Sequence, residues 1–265
     1  MRHGSTKEGV LHARVVPAVL HAPAVPATSL PRPLRLLHER IVACRDCPRL
    51  VAWREKVARE KRRSFATAEY WGRPVPGFGD PGARILVVGL APAAHGANRT
   101  GRMFTGDLSG HFLFAALHRA GLASRPTSLA RDDGLVLRDV FIVAALRCAP
   151  PANKPLPVEV HRCARFLDEE LALLPGVRVI LALGAIAWNA TLDHLERSGA
   201  ATPRPRPRFG HGTEARLART RHVLIGSYHV SQQNTQTGRL TPAMFDAVLG
   251  RAMGLAGQRE PPSLS

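Results

Sequence analysis

Acidic residues are scarce. Asp and Glu number 20 against 37 Lys and Arg, leaving a formal net charge of +17. The pI lies near 11.4. An excess of this size concentrates polyanions around the chain and suits a phosphate backbone as partner. A genome that uses arginine freely would give the same balance, so charge alone names no partner. Long apolar runs are also missing: no stretch nears the roughly 20 residues a membrane helix needs, although apolar residues make up 45% of the chain. The expectation is a protein with no membrane partner. Cysteine is rare, with four in 265 residues: Cys44, Cys47, Cys148 and Cys163. That scarcity argues against a disulfide scaffold. The N-terminal segment shows no clear secretory signal with a cleavage site. A cytoplasmic location, in the bacterial cytosol or nucleoid, is the expectation.

The length suits one large domain, or one domain with tails. Residues 1–32 lack a steady hydrophobic period, and prolines recur at Pro17, Pro23, Pro26 and Pro31. Proline at that density blocks a long helix, so this segment reads as a disordered arm. Residues 257–265 read as a loose tail, which leaves 33–256 as the folded domain.

Within that domain four short apolar runs stand out: RILVVGL from Arg84, DVFIVAAL from Asp139, VRVILAL from Val177 and HVLIGSY from His222. Near-continuous apolar runs suit strands covered on both faces, as in a parallel sheet. Helical patterns lie between them. One runs through Phe112, Leu113, Ala116 and Leu117 to a stop at Gly121. A second holds Cys163, Phe166, Leu167, Leu171 and Leu174, interrupted by Glu170, and a third covers 184–197. A fourth opens at Thr241-Pro242, with threonine as cap and proline at the first helical position. This alternation predicts an α/β fold, a three-layer α/β/α sandwich with right-handed crossovers. The site then lies beyond the carboxyl ends of the strands.

The cysteines form one constellation: a C-x-x-C pair at Cys44 and Cys47, then Cys148 beyond the second strand, then Cys163 in the next helix. Four thiolates suit tetrahedral zinc or a cubane cluster. The wide second spacing tilts the balance toward a cluster, and buried inert thiols are the plain alternative.

Two loops follow the first and last strands. Residues 89–107 read GLAPAAHGANRTGRMFTGD, and residues 229–239 read HVSQQNTQTGR. They supply a flat ring, a carboxylate, an imidazole and several amides, groups that suit a planar polar base. Together with RCAPPANKP from Arg147 and the four cysteines, these segments resemble the family 5 (B-type) uracil-DNA glycosylases over roughly residues 35–255. The resemblance implies a four-stranded parallel sheet and a [4Fe–4S] cluster on Cys44, Cys47, Cys148 and Cys163. It also implies hydrolysis of the N-glycosidic bond of uracil, and of other deaminated bases such as hypoxanthine or xanthine, in double- and single-stranded DNA. A monomer is expected.

The resemblance further implies Asp107, His229 and Asn153 as catalytic groups. Phe104 would stack on the base, with Leu90, Ala91, Asn153 and His229 around its polar edge. Arg99, Arg102, Gln232, Gln233, Asn234 and Arg239 would meet DNA, and Gln232, Gln233 and Asn234 are candidates to fill the space a flipped base leaves. More familiar uracil glycosylases carry an aspartate where Ala91 stands and a tyrosine where Ala93 stands. The water-holding carboxylate therefore moves to Asp107, and the pocket becomes roomier. Duller roles remain for each group: Asp107 as a helix cap, Phe104 as core, His229 as a solvated loop residue. The rival function is a non-catalytic iron–sulfur protein that binds nucleic acid or transfers electrons.

Overall fold

The computed structural model describes residues 30–257. Most of the expected N-terminal arm and all but the first residue of the tail lie outside the described residues. The first helix, α1 (Arg32–Ala43), begins at the last residue assigned to that arm. It is followed by α2 (Pro48–Glu60), whose cap is Cys47 with proline at the first position. The remaining elements are β1 (Phe78–Gly79), β2 (Ile85–Gly89), α3 (Ala97–Thr100), α4 (Leu108–Arg119), β3 (Val140–Ala144), α5 (Pro157–Ala172), β4 (Val179–Leu183), α6 (Ala185–Arg197), β5 (Glu214–Arg216), β6 (Val223–Ser227), α7 (Gln232–Thr235) and α8 (Pro242–Gly257).

The four apolar runs form β2, β3, β4 and β6, and all four pair in parallel. The sheet itself has six strands, in the order β1-β3-β2-β4-β6-β5. The expected four are its centre, and β1 and β5 close its two edges in antiparallel pairing. Those edge strands, two and three residues long, are too short to leave an alternating pattern in the sequence.

Side chains alternate across each central strand, as the pleat requires. Ile85, Val87, Ile142, Leu181 and Ile225 point into one layer with α4 and α8. Leu86, Val88, Phe141, Val143, Ile180 and Leu224 point into the other with α1, α5 and α6. The chain is thus an α/β/α sandwich. No helix among the described residues is long and apolar enough to cross a membrane.

Helix ends follow their caps. Thr241 Oγ1 accepts the Met244 N–H at 3.3 Å, and Gly121, with φ of +75°, ends the turn after α4. Glu170 interrupts the apolar face of α5 because it is an internal ion-pair partner. It is 0% exposed, accepts the Gly77 N–H at 3.0 Å, and pairs with His38 at 3.2 Å and with Arg147.

Candidate active site and cysteine cavity

Because β2 and β6 are parallel, with β4 between them, their following loops emerge on the same side. The first loop passes its aromatic ring back over the end of β2. A Cβ built on Gly89 would lie 2.8 Å from Phe104 Cζ, so only glycine lets the ring approach the backbone this closely. Phe104 has φ of +53°, a left-handed conformation that phenylalanine rarely adopts, and such strain clusters at functional sites. Its ring is tilted 34° to the His229 ring, with centroids 6.2 Å apart.

His229 is held through its backbone and lies beside Gly184. The Asn234 side chain donates to the His229 carbonyl at 2.8 Å. A Cβ on Gly184, where φ is +92°, would lie 3.5 Å from His229 Cβ. Burial pushes the imidazole down to about 4, so it is neutral at physiological pH.

Asp107 occupies the cap of α4, and its Oδ1 accepts the Gly110 N–H at 2.9 Å. Its Oδ2 lies over Gly96, where a Cβ would come within 2.0 Å of it. Burial raises the Asp107 carboxyl above its ordinary value, against the opposing pull of the Gly110 and Ser109 amides, His111 and Arg99. The cap uses Oδ1 and leaves Oδ2 over Gly96.

The other sequence candidates differ in exposure and partners. Leu90 and Ala91 are half-buried, and the Leu90 carbonyl accepts the Leu146 N–H at 3.0 Å, extending the β2–β3 pairing into the loop. Asn153 is exposed, at the end of a short turn, Pro151–Asn153, with φ of +55°. Arg99 is half-buried; it donates to the His95 and Gly106 carbonyls and covers the Phe65 ring at 4.0 Å.

Arg102 is buried among internal partners. It is 6% exposed and donates to Thr105 Oγ1, Ser128 Oγ, the Arg131 carbonyl and both oxygens of Asp133 at 2.7–3.0 Å. Its guanidinium, expected at a phosphate, is engaged by these internal partners. Gln232, Gln233 and Arg239 are exposed, and Arg239 lies over the Tyr228 ring at 4.6 Å.

A family model described as the uracil DNA glycosylase superfamily matches residues 76–252. The chain belongs to that superfamily. It is 58% identical over 217 residues to a type-5 uracil-DNA glycosylase of Thermus thermophilus, covering 82% of this chain and 95% of the relative. A type-5 enzyme of Mycobacterium tuberculosis is 53% identical over 222 residues, covering 83% and 81%. A type-4 enzyme of Pyrobaculum aerophilum is 30% identical over 165 residues, covering 62% and 67%.

The fold also brings the cysteines together. Cys44, Cys47, Cys148 and Cys163 line one cavity, with Arg54, Arg147, Arg162 and Leu50 among its walls. All four are free thiols. Burial pushes Cys148 up to about 11 and Cys163 up to about 12. Among the described residues, no three His, Cys, Asp or Glu side chains are arranged to hold a single metal ion.

The cavity is small, about 20 Å³, and hydrogen-bond donors lie beside its sulfurs. Guanidinium groups point at the sulfurs: Arg54 Nη1 donates to Cys148 Sγ at 2.8 Å, and Arg165 Nη2 approaches Cys44 Sγ at 3.7 Å. The Arg147 N–H donates to Cys163 Sγ at 3.3 Å. Four thiols lining one cavity, with cations beside them, suit an anionic four-thiolate centre by their chemistry.

Sequence reasoning passed over Arg54, and over residues 124–134, which Arg102 ties to the first loop. The only signal for the second was its density of turn residues, SRPTSLARDDG.

Proposed function

We propose that this chain is a uracil-DNA glycosylase, a hydrolase that opens base excision repair by cutting the N-glycosidic bond of uracil. The observation that carries the reading is the Phe104 ring held against a neutral His229, with Asp107 three residues further along the same loop.

A base inside a duplex is unreachable, so it must leave the stack at a cost of a few kcal/mol. Phe104 stacks on the extruded base. Backbone groups near Leu90 and Ala91, with Asn153, meet its polar edge. As the bond from C1′ to the base breaks, its electron pair moves onto the ring and positive charge develops on the sugar. The neutral His229 donates a hydrogen bond to the ring oxygen where that charge collects. Asp107 holds a water, stabilises the cationic sugar and takes the water's proton as the oxygen bonds to C1′. The products are a free base and an abasic site. Ala91 and Ala93 leave room for larger deaminated bases such as hypoxanthine and xanthine.

Cys44, Cys47, Cys148 and Cys163 would hold a [4Fe–4S] cluster. When bound, it supplies a structural cross-link between α2, the end of β3 and α5. Arg54, Arg147 and Arg165 place positive charge beside its sulfurs. The working form is a monomer acting on double- and single-stranded DNA in the cytosol.

The rival reading, a non-catalytic iron–sulfur protein, explains the cysteines and the charge but requires neither a strained Phe104 nor a carboxylate beside it. Incubation with a uracil-containing oligonucleotide followed by alkali decides between them. Strand scission at the uracil is expected; an intact strand with cluster-loaded protein favours the rival.

A further inference from the structure

We infer that His211 is a positioning residue for base excision, holding the backbone that aims His229; the inference rests on the glycosylase reading above. His211 Nδ1 accepts the Tyr228 N–H at 3.2 Å, one residue before His229. A backbone N–H only donates, so Nδ1 is unprotonated and the proton of the neutral ring sits on Nε2. Burial lowers the His211 imidazole below its ordinary value, against the pull of a Met244 backbone bond. That keeps the accepting lone pair free.

The bond stands where the sheet runs out. Strand β6 ends at Ser227. Up to that point backbone partners suffice. The Gly226 N–H donates to the Thr213 carbonyl at 2.9 Å, the Gly226 carbonyl accepts the Gly212 N–H at 2.8 Å, and the Ser227 carbonyl accepts the Gly184 N–H at 2.8 Å. Two residues beyond Gly226, on the same edge of the chain, the Tyr228 N–H meets the His211 side chain in place of a carbonyl. Close packing brings His211 there. A Cβ on Gly226 would lie 2.4 Å from the Gly210 carbonyl oxygen and 3.3 Å from the Phe209 ring, so glycine lets residues 209–210 lie against β6. The His211 ring then stacks on Tyr228, with centroids 5.0 Å apart and planes 23° from parallel.

His229 depends on such support. Burial lowers its imidazole with no hydrogen-bonding or charged group contributing, so the ring is aimed by its backbone and by packing against Phe104. A donor stabilises developing charge only when it is aimed at the atom where that charge collects. Three backbone groups around His229 are held: the Tyr228 N–H by His211, the Tyr228 carbonyl by Ser227 Oγ at 3.0 Å, and the His229 carbonyl by Asn234. Of these three partners, only His211 comes from outside residues 227–234. It ties the histidine loop to the rest of the fold.

The test uses the cluster-loaded full chain and its His211→Asn, His211→Leu and His211→Phe forms. Asparagine keeps a side-chain acceptor, leucine has nearly the same shape without one, and phenylalanine keeps a ring without one. The readouts are the single-turnover rate on saturating single-stranded uracil oligonucleotide, the dissociation constant for that oligonucleotide, and hydrogen exchange of the Tyr228 amide. The Leu and Phe forms are expected to excise about 10- to 100-fold more slowly, the scale of a slightly misplaced catalytic group, with unchanged DNA affinity and a faster-exchanging Tyr228 amide. His211→Asn should restore both rate and protection. In a His229→Ala background, His211→Leu should cause no further loss, because residues acting as a unit are not additive. Parent-like rates in the Leu and Phe forms, a slow His211→Asn form with a protected Tyr228 amide, or losses that multiply in the His229→Ala background would overturn the inference. If the Leu and Phe forms do not fold, His211→Asn decides alone: parent-like rate and protection support the role, and loss of either removes it. Failure of the parent to excise uracil overturns instead the glycosylase reading.

Discussion

Arg54 donates to Cys148 Sγ at 2.8 Å from a position only 2% exposed to solvent. The same guanidinium reaches the Cys44 carbonyl at 3.3 Å from both terminal nitrogens. Its nearest carboxylate, on Glu55, is 4.0 Å away. A buried arginine stays charged and is costly unless paired. The cysteine cavity is where its counter-charge belongs. On the next turn of contact, the Arg54 carbonyl accepts from the Asn98 amide at 3.3 Å, so α2 links the cysteine cavity to the loop that carries Phe104 and Asp107.

Replacing Arg54 should therefore weaken the cluster. Arg54→Met is expected to lower cluster affinity by about 10–100-fold, as loss of an outer partner of a metal site does, and Arg54→Lys to recover part of it. Iron content and visible absorbance of anaerobically purified protein measure this. Equal iron content in all three forms would remove Arg54 from that role.

The pH dependence should follow Asp107 and not His229. His229, held near 4 by burial, stays neutral from pH 5 upward and contributes no step there. Asp107 is raised above its ordinary 3.8 by burial, so its active carboxylate is lost at higher pH than for an exposed aspartate. Single-turnover excision should fall on the acid side in one step, which Asp107→Asn removes along with most activity.

The same shift has a stability consequence. A raised carboxyl binds its proton more tightly in the folded state, so ionised Asp107 costs the fold stability at neutral pH. Asparagine keeps the cap acceptor. Asp107→Asn is expected to melt at the parent temperature or above it at pH 7, and a clear drop in melting temperature would show that the charge supports the fold.

Gly96→Ala tests the placement of Asp107. The added methyl would meet Oδ2 at 2.0 Å, forcing the carboxylate aside. Turnover should fall about 100-fold, the scale of a misplaced catalytic group, with far-ultraviolet circular dichroism unchanged. Parent-like turnover would mean that the carboxylate position does not matter.

Arg102→Ala should act through the fold. Breaking a buried ion pair costs about 3–5 kcal/mol, and Arg102 pairs with an Asp133 that is 12% exposed. Denaturant unfolding should show that loss. A stable variant with weaker, less salt-dependent DNA binding would return Arg102 to the phosphate-contact role.

The central strands were legible because each is apolar on both faces, as a covered parallel strand must be. Helix α2 was not, because Arg54 sits among Leu50, Val51 and Val57 on its buried side and spoils the stripe. Glu170 misled for the same reason: its partners His38 and Arg147 lie far away in sequence. In the site, the glycine-rich loop and the final histidine motif announced themselves through local residue types. The internal commitment of Arg102 did not, since Asp133 lies 31 positions away and no local pattern links them.

The most direct test is single-turnover excision of uracil from a single-stranded oligonucleotide by the parent, Asp107→Asn and His229→Ala proteins. The account predicts efficient excision by the parent. It predicts a fall of about 10²–10³-fold on losing the His229 donor and a comparable fall for Asp107→Asn, with DNA binding retained. Parent-like rates in both variants would contradict the assignment of this site.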